Sequence, residues 1–379
     1  MSASSSLSAP AKRAIAAMRR LCCLGLGGQI AIPALLSELH ALIPSANNHF
    51  VWAGPNFEIA NVYGEGDFLE SMPLYLNEFV NKRERDVIST FSEGMRRNRK
   101  SAVMTFDEFA VKVDRRTFER HDFYNLIQRP HGIDFILQLK VSEHGRGLGA
   151  LHVSRQKGDP EFTDRDRTLL EWIAPFAAHA LAPGCPDEQF VESDDRGLIV
   201  ATPAGEIEHL SPQARRLLML AMHPELSPAA IPRAGPGPLL PPKVARLCQD
   251  LVQIFEDKAP LAAPVCQLTN PWGPFTFRAY WFDRGASAWP LIGITVERLE
   301  PLALKLWRRA EELPLTGREI EVCQLLALGR SRAEIGGHLG VSENTAVNHC
   351  RNLYDKLGVH SRAELVEKLA GTRGAGVLF

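Results

Sequence analysis

The chain has 379 residues, enough for two or three domains that each bury a core. Its 45% apolar and 23% charged content excludes wholesale disorder, and 43 basic against 44 acidic side chains leave a net charge of −1. General polybasic attraction to nucleic acid or membrane is therefore excluded, and any such binding must come from a local arrangement.

The opening stretch is rich in Ser and Ala and poor in acids, as transit peptides are. Lys12, Arg13, Arg19 and Arg20 interrupt any apolar core of a secretory signal. Residues 1–27 are expected to form a flexible tail. No run approaches the roughly eighteen apolar residues of a spanning helix. The seven cysteines, at 22, 23, 185, 248, 266, 323 and 350, lack C-x-x-C spacing, which points to a reduced, cytoplasmic protein without a metal site.

Residues 28–184 read as an α+β domain. An apolar helix over 30–43 leads into strand-like runs at 48–53 and 59–63. Charged helical patterns follow to about residue 128 and contain the basic patch Arg96, Arg97, Asn98, Arg99 and Lys100. Runs at 133–141 and 148–154 flank a Gly-rich turn at 144–147, a hairpin signal. Gly145, Gly147 and Gly149 precede a strand, so they read as turn chemistry and not as a phosphate loop. Thr163 and Asp166, at capping-box spacing, open a helix with an apolar stripe through Leu169, Leu170, Ile173, Phe176, Ala177 and Ala180. Trp52, Tyr63, Phe123 and Tyr124 are the aromatics available to wall a ligand cavity. His121, His131, His144 and His152 lack metal-ligand spacing and read as ordinary histidines.

Residues 187–300 read as a second α+β domain. Strand, tight turn and strand over 197–210 precede a helix opening at Ser211-Pro212. Seven prolines in 224–242 predict an irregular loop in place of helices that would roof a pocket. A helix over 243–256 and strands over 275–282 and 291–296 complete the domain. Residues 301–312, with Leu302, Leu304, Leu306 and Trp307, make a linker or coupling helix.

The last stretch, 313–371, is the most informative. Thr316 and Glu319, Ser331 and Glu334, and Ser361 and Glu364 are three capping boxes, and Ser342 supplies a fourth N-cap. Gly329, Gly340 and Gly358 fall where helices end. Four helices are predicted, over 317–328, 332–339, 343–357 and 362–369, the second and third joined by a three-residue turn. In the third, Ala346, Cys350, Leu353 and Leu357 form a buried stripe, leaving Asn344, Val347, Asn348, Arg351 and Asp355 outward. Asn348 suits adenine, Arg351 guanine and Val347 a thymine methyl, while Ser331, Arg332, Thr345, His349 and Lys356 are placed for phosphates. Seven basic and seven acidic side chains cancel over 313–370, so one such domain is expected to bind DNA weakly and to act in pairs. Residues 372–379 read as a tail.

This stretch, with Leu315-Thr316, Arg318-Glu319, Gly329, Ser331, Glu334-Ile335, Val341-Ser342, Thr345, His349 and Lys356-Leu357-Gly358-Val359, resembles the DNA-binding domain of LuxR-type transcription regulators. Val347 and Ala333 stand where that family often carries a basic residue. The helix at 163–182 with its preceding hairpin resembles the end of a GAF-type sensor domain, and 197–212 resembles the opening of a PAS-type domain. The resemblance implies a multidomain chain in which α+β sensor domains, GAF-like then PAS-like, precede an all-α helix-turn-helix domain. It implies a homodimer paired through its last helix, reading a two-fold symmetric operator with helix 343–357. Double-stranded DNA, RNA polymerase and a small-molecule effector held by the N-terminal domain are the expected partners, with no cofactor and no membrane. No catalytic motif is present, so a non-enzyme is expected. Two other readings stay open: upstream domains that only dimerise or bind protein partners, and a sensor domain with enzymatic turnover.

Overall fold

A computed structural model describes residues 7–97, 102–184, 189–231, 238–255, 264–282 and 290–370. Part of the basic patch (98–100), Cys185, part of the proline-rich segment (232–237) and the tail 372–379 lie outside these residues. The chain divides into two compact units. One spans Gly27–Ala182 and Glu192–Leu299, and the other is assembled from Met1–Leu26, Pro183–Val191 and Glu300–Phe379.

Helix α1 (Ala9–Cys22) occupies the region expected to be a flexible tail. Its Ser8 N-cap accepts a hydrogen bond from the Ala11 amide, and Ala11, Ile15, Met18, Leu21 and Cys22 are buried on one stripe. The tail reading is corrected: a stripe at helical period finds a partner in the C-terminal part of the chain.

The larger unit contains two five-stranded antiparallel sheets. The first is built from α2 (Gly28–Leu39), β1 (Asn48–Ala53), β2 (Ile59–Gly64), the short helices α3 (Met72–Leu74) and α4 (Phe91–Arg96), β3 (Val103–Thr105), α5 (Phe106–Phe109), α6 (Arg115–Arg120), β4 (Phe135–Glu143), β5 (Arg146–Arg155) and α7 (Asp164–Ala180). Its strand order is β2-β1-β5-β4-β3. Helices α2 and α7 pack on one face, where Phe50 pairs with Leu151 and Leu151 with Leu139. The expected capping box opens α7: Thr163 accepts from the Asp166 amide and Asp166 from the Thr163 amide.

After β6 (Phe190–Val191), which belongs to the other unit, come β7 (Arg196–Ala201), β8 (Ile207–Leu210), α8 (Pro212–Met222), α9 (Pro242–Phe255), β9 (Val265–Asn270), β10 (Gly273–Trp281) and β11 (Ile292–Arg298). This sheet runs β8-β7-β11-β10-β9, the order of the first sheet repeated. Helix α8 packs on β7 and β11, and α9 on β10 and β9. The proline-rich stretch forms no helix among its described residues before Pro242, as expected, and the two expected helices that flank it in sequence, α8 and α9, cover the sheet over Phe275, Phe277, Ile294 and Val296. The two sheet domains share a seam at Trp272, whose ring centroid lies 6.0 Å from Trp52 and 5.8 Å from Tyr63.

The smaller unit joins α1 to β12 (Glu300–Pro301, paired with β6), α10 (Leu302–Glu312), α11 (Gly317–Ala327), α12 (Arg332–Leu339), α13 (Glu343–Leu357) and α14 (Arg362–Ala370). Helix α10 is no free linker. Leu306 and Ala310 are fully buried in one core with Ile320, Cys323, Leu353 and Leu365. Arg20 of α1 donates two hydrogen bonds to Glu311 of α10, at 2.7 and 2.9 Å, with both side chains largely shielded from water. Replacing Arg20 by Ala strands that carboxylate and should cost about 1.5–3 kcal/mol. Faster hydrogen exchange of the α1 amides is the readout, and unchanged exchange would show that α1 is held by its apolar stripe alone.

Candidate nucleic-acid interface and an apolar cavity

The helix-turn-helix is set by local chemistry. Ser331 and Glu334 complete a capping box on α12, Ser342 accepts from the Thr345 amide to start α13, and Gly340 and Gly358 end the two helices at φ of 64° and 63°. A side chain at these left-handed positions would strain the backbone, which is why glycine stands there. Ala346, Cys350, Leu353 and Leu357 are buried as expected.

The opposite side of α13 is exposed in two stripes: Asn344, Asn348, Arg351 and Asp355 on one, Thr345, Asn352 and Lys356 on the other, with His349 half-buried beside the latter. Val347 is 39% exposed on the far flank of the first stripe, beside Arg351 and Tyr354. Arg332 at the start of α12 borders a shallow groove of about 300 Å³ together with Val347, Arg351, Tyr354 and His360. The turn therefore brings the first residue of α12 to the outer face of α13. Asn352 and His360 are accessible groups that the sequence reading passed over, although the helical period from Thr345 through His349 would have found Asn352.

Two expected phosphate ligands are engaged within the unit. Lys356 Nζ lies 2.8 Å from Glu319 Oε2, and this pair, with the Thr316 amide, holds the Glu319 carboxyl down to about 2. The Ser331 hydroxyl is occupied by its helix cap. Lys356 would have to leave Glu319 to reach a phosphate. Helix α1 adds Lys12, Arg13, Arg19 and Arg20, and no acid, to the unit that contains the stretch 313–370 expected to be neutral. The apolar positions of α14, Leu365 and Leu369, are buried in the core that α10 shares, leaving Arg362, Glu364, Glu367 and Lys368 exposed.

A second site lies in the first sheet domain. Opposite the face covered by α2 and α7, the helical segments between β2 and β4 border a partly open cavity of about 110 Å³, room for several waters or a small molecule. Its walls are mostly apolar, with Val62, Met72, Ile88, Phe106 and Ile136 among them. Across its floor runs a polar row in strict register: His49 on β1 opposite His152 on β5, and His152 opposite Gln138 on β4. The two imidazoles stack at 4.4 Å between centroids. His152 Nε2 lies 3.0 Å from Gln138 Oε1, and the buried Nδ1 atoms of His49 and His152 have no hydrogen-bond partner. Burial, then the neighbouring His152 and His131, lowers the His49 pKa well below its usual value, and burial takes His152 to about 3. Glu84, also on the wall, accepts from the Asn81 amide and the Tyr75 hydroxyl, and burial raises its pKa.

Of the four aromatics expected to wall a cavity, Phe123 does so. Strand alternation explains two of the corrections. His49 and Val51 point into the cavity, so Trp52 points away, against Phe50 and Trp272. Tyr63, opposite Phe50, also faces the seam, where its hydroxyl receives a hydrogen bond from Arg216 at 3.4 Å. Tyr124 is buried outside the cavity and donates to Asp134 at 3.0 Å. His152, read as an ordinary histidine, lies on the cavity floor.

Residues 313–369 match the family model described as bacterial regulatory proteins, luxR family. A probable transcriptional regulatory protein, SgaR, of Hyphomicrobium methylovorum is 37% identical over 83 residues, 22% of this chain and 35% of that protein. The HTH-type transcriptional regulator MalT of Serratia proteamaculans is 47% identical over 55 residues, 14% of this chain and 6% of that one. The chain thus spans about a third or less of the length of these relatives. A crystal structure described as the phage VqmA-DPO complex aligns over 48% of this chain and 83% of its own at 16% identity, with a TM-score of 0.18, too low to bear on the fold. The C-terminal helices therefore form a LuxR-type helix-turn-helix DNA-binding domain. Among the described residues no helix is long and apolar enough to cross a membrane.

Proposed function

We propose that this protein is a transcription regulator that reads DNA with α13 and answers to a small molecule held in its first sheet domain. The observation that carries the first part is the exposed stripe of Asn344, Asn348 and Arg351 on a helix whose other side is locked into a core. Arg351 suits the two acceptors of a guanine and Asn348 an adenine edge, while Arg332, Thr345 and His349 suit the flanking phosphates. A single such helix covers only a few base pairs. The reading therefore includes a homodimer on a two-fold symmetric operator with half-sites about 10 bp apart, and RNA polymerase as the downstream partner. The exposed face of α14 is charged, so pairing there would rest on complementary Arg362, Lys368, Glu364 and Glu367.

The second part rests on the cavity. The repeated strand order supports two sensor domains of one GAF- or PAS-type architecture, the first of which has the cavity. Binding-site selection with the intact protein tests the DNA reading. Arg351→Ala should weaken the selected operator by about 1–3 kcal/mol and relax preference at one base pair, whereas His349→Ala should weaken all sequences alike. Unchanged base preferences after Arg351→Ala would show that α13 is not the reading element.

A further inference from the structure

The polar row on the cavity floor defines what the cavity accepts. We infer that its ligand is a small uncharged molecule with an apolar body and at least one hydrogen-bond donor, which it gives to the imidazole row of His49 and His152. The inference rests on the proposed sensing role of this cavity and names the class of effector. His152 donates through Nε2 to Gln138 Oε1, so its Nδ1 is an acceptor, buried and unmatched in a ring 8% exposed. His49 is equally buried and stacks on it with a second unmatched Nδ1. Buried polar atoms are nearly always paired, and the orphan acceptor of His152, in a residue that lines the cavity, is what a donor-bearing occupant would satisfy.

Charge is disfavoured from both sides. A cation would find Glu84 already taken by Tyr75 and Asn81, and would sit against rings that are themselves reluctant to be charged. An anion would lose its hydration among mostly apolar walls beside imidazoles held below their usual pKa, with no cationic group in the row to offset the loss. The walls supply aromatic and aliphatic contact, with Phe106, Phe109, Phe123 and Met72 around the space, so the body of the ligand is apolar.

The test uses the intact protein and a matched series of probes: phenol as neutral donor, acetophenone as neutral acceptor, toluene with neither, and benzoate and benzylammonium as charged forms. Thermal unfolding and calorimetric titration should rank phenol at least tenfold tighter than toluene or acetophenone, with no binding of the charged pair. His49→Phe and His152→Phe should erase the advantage of phenol over toluene while toluene still binds. Equal binding of phenol and toluene, preference for acetophenone, or binding of a charged probe would overturn the donor class while leaving the cavity as a sensing site. Failure of every probe to bind would instead overturn the sensing role of the cavity, and the inference with it.

Discussion

Taking the protein from pH 7 to pH 5 should destabilise the first sheet domain by roughly 2 kcal/mol through His152, with His49 acting in the same direction. In the folded domain His152 stays neutral down to about 3 and the His49 pKa is held well below its usual value, whereas in the unfolded chain each takes up a proton near 6.5. Below that value the unfolded state binds more protons than the folded one. The contribution is therefore complete above about pH 7 and is lost as the pH falls, at about 1.4 kcal/mol per pH unit for each ring. Thermal melts across pH 4–8, roughly this window, should show the loss, and the His49→Phe, His152→Phe double variant should show a flatter profile. A variant whose profile matched the parent would mean that the two rings titrate freely in the folded state.

The second large effect concerns α10. Leu306→Ala should cost about 2–5 kcal/mol, because the side chain is fully buried in the core of the DNA-binding unit and leaves a cavity between helices. Hydrogen exchange at the α13 amides of the intact protein should accelerate, and operator binding should fall at temperatures where the parent still binds. Arg309→Ala, on the exposed side of the same helix and paired with Glu312, should change stability by no more than about 0.5 kcal/mol. If Leu306→Ala were as mild as Arg309→Ala, α10 would be a connector and not part of the domain.

What was legible in the sequence was what is decided locally. The helices of the DNA-binding domain were placed almost to the residue because capping serines, threonines and closing glycines mark their ends. Strands β1, β2, β4 and β5 were found because their apolar runs are bounded by turn residues. Strand β3 is three residues long, and β9 alternates exposed with half-buried positions at a sheet edge, so neither has an apolar signature. Which face of β1 looks into the cavity depends on pairing with β5 a hundred residues away, and a one-residue difference separates His49 and Val51 from Trp52. Large aromatics drew attention to the wrong face, while the histidines that line the cavity carry no spacing motif. For α1 the signal existed, as Ala11, Ile15, Met18 and Cys22 recur at helical period, but the Ser- and Ala-rich context hid it.

The contact between Arg20 and Glu311 spans 291 residues. At ribosomal speeds of about 5–20 residues per second, α1 leaves the ribosome roughly 15–60 seconds before the helix that receives it. Throughout that interval both sheet domains are being made and are free to fold, while the apolar stripe of α1 waits without its partner. A nascent chain released before α10 would carry the cavity and no reader. The DNA-binding unit is begun before the sheet domains and completed after them.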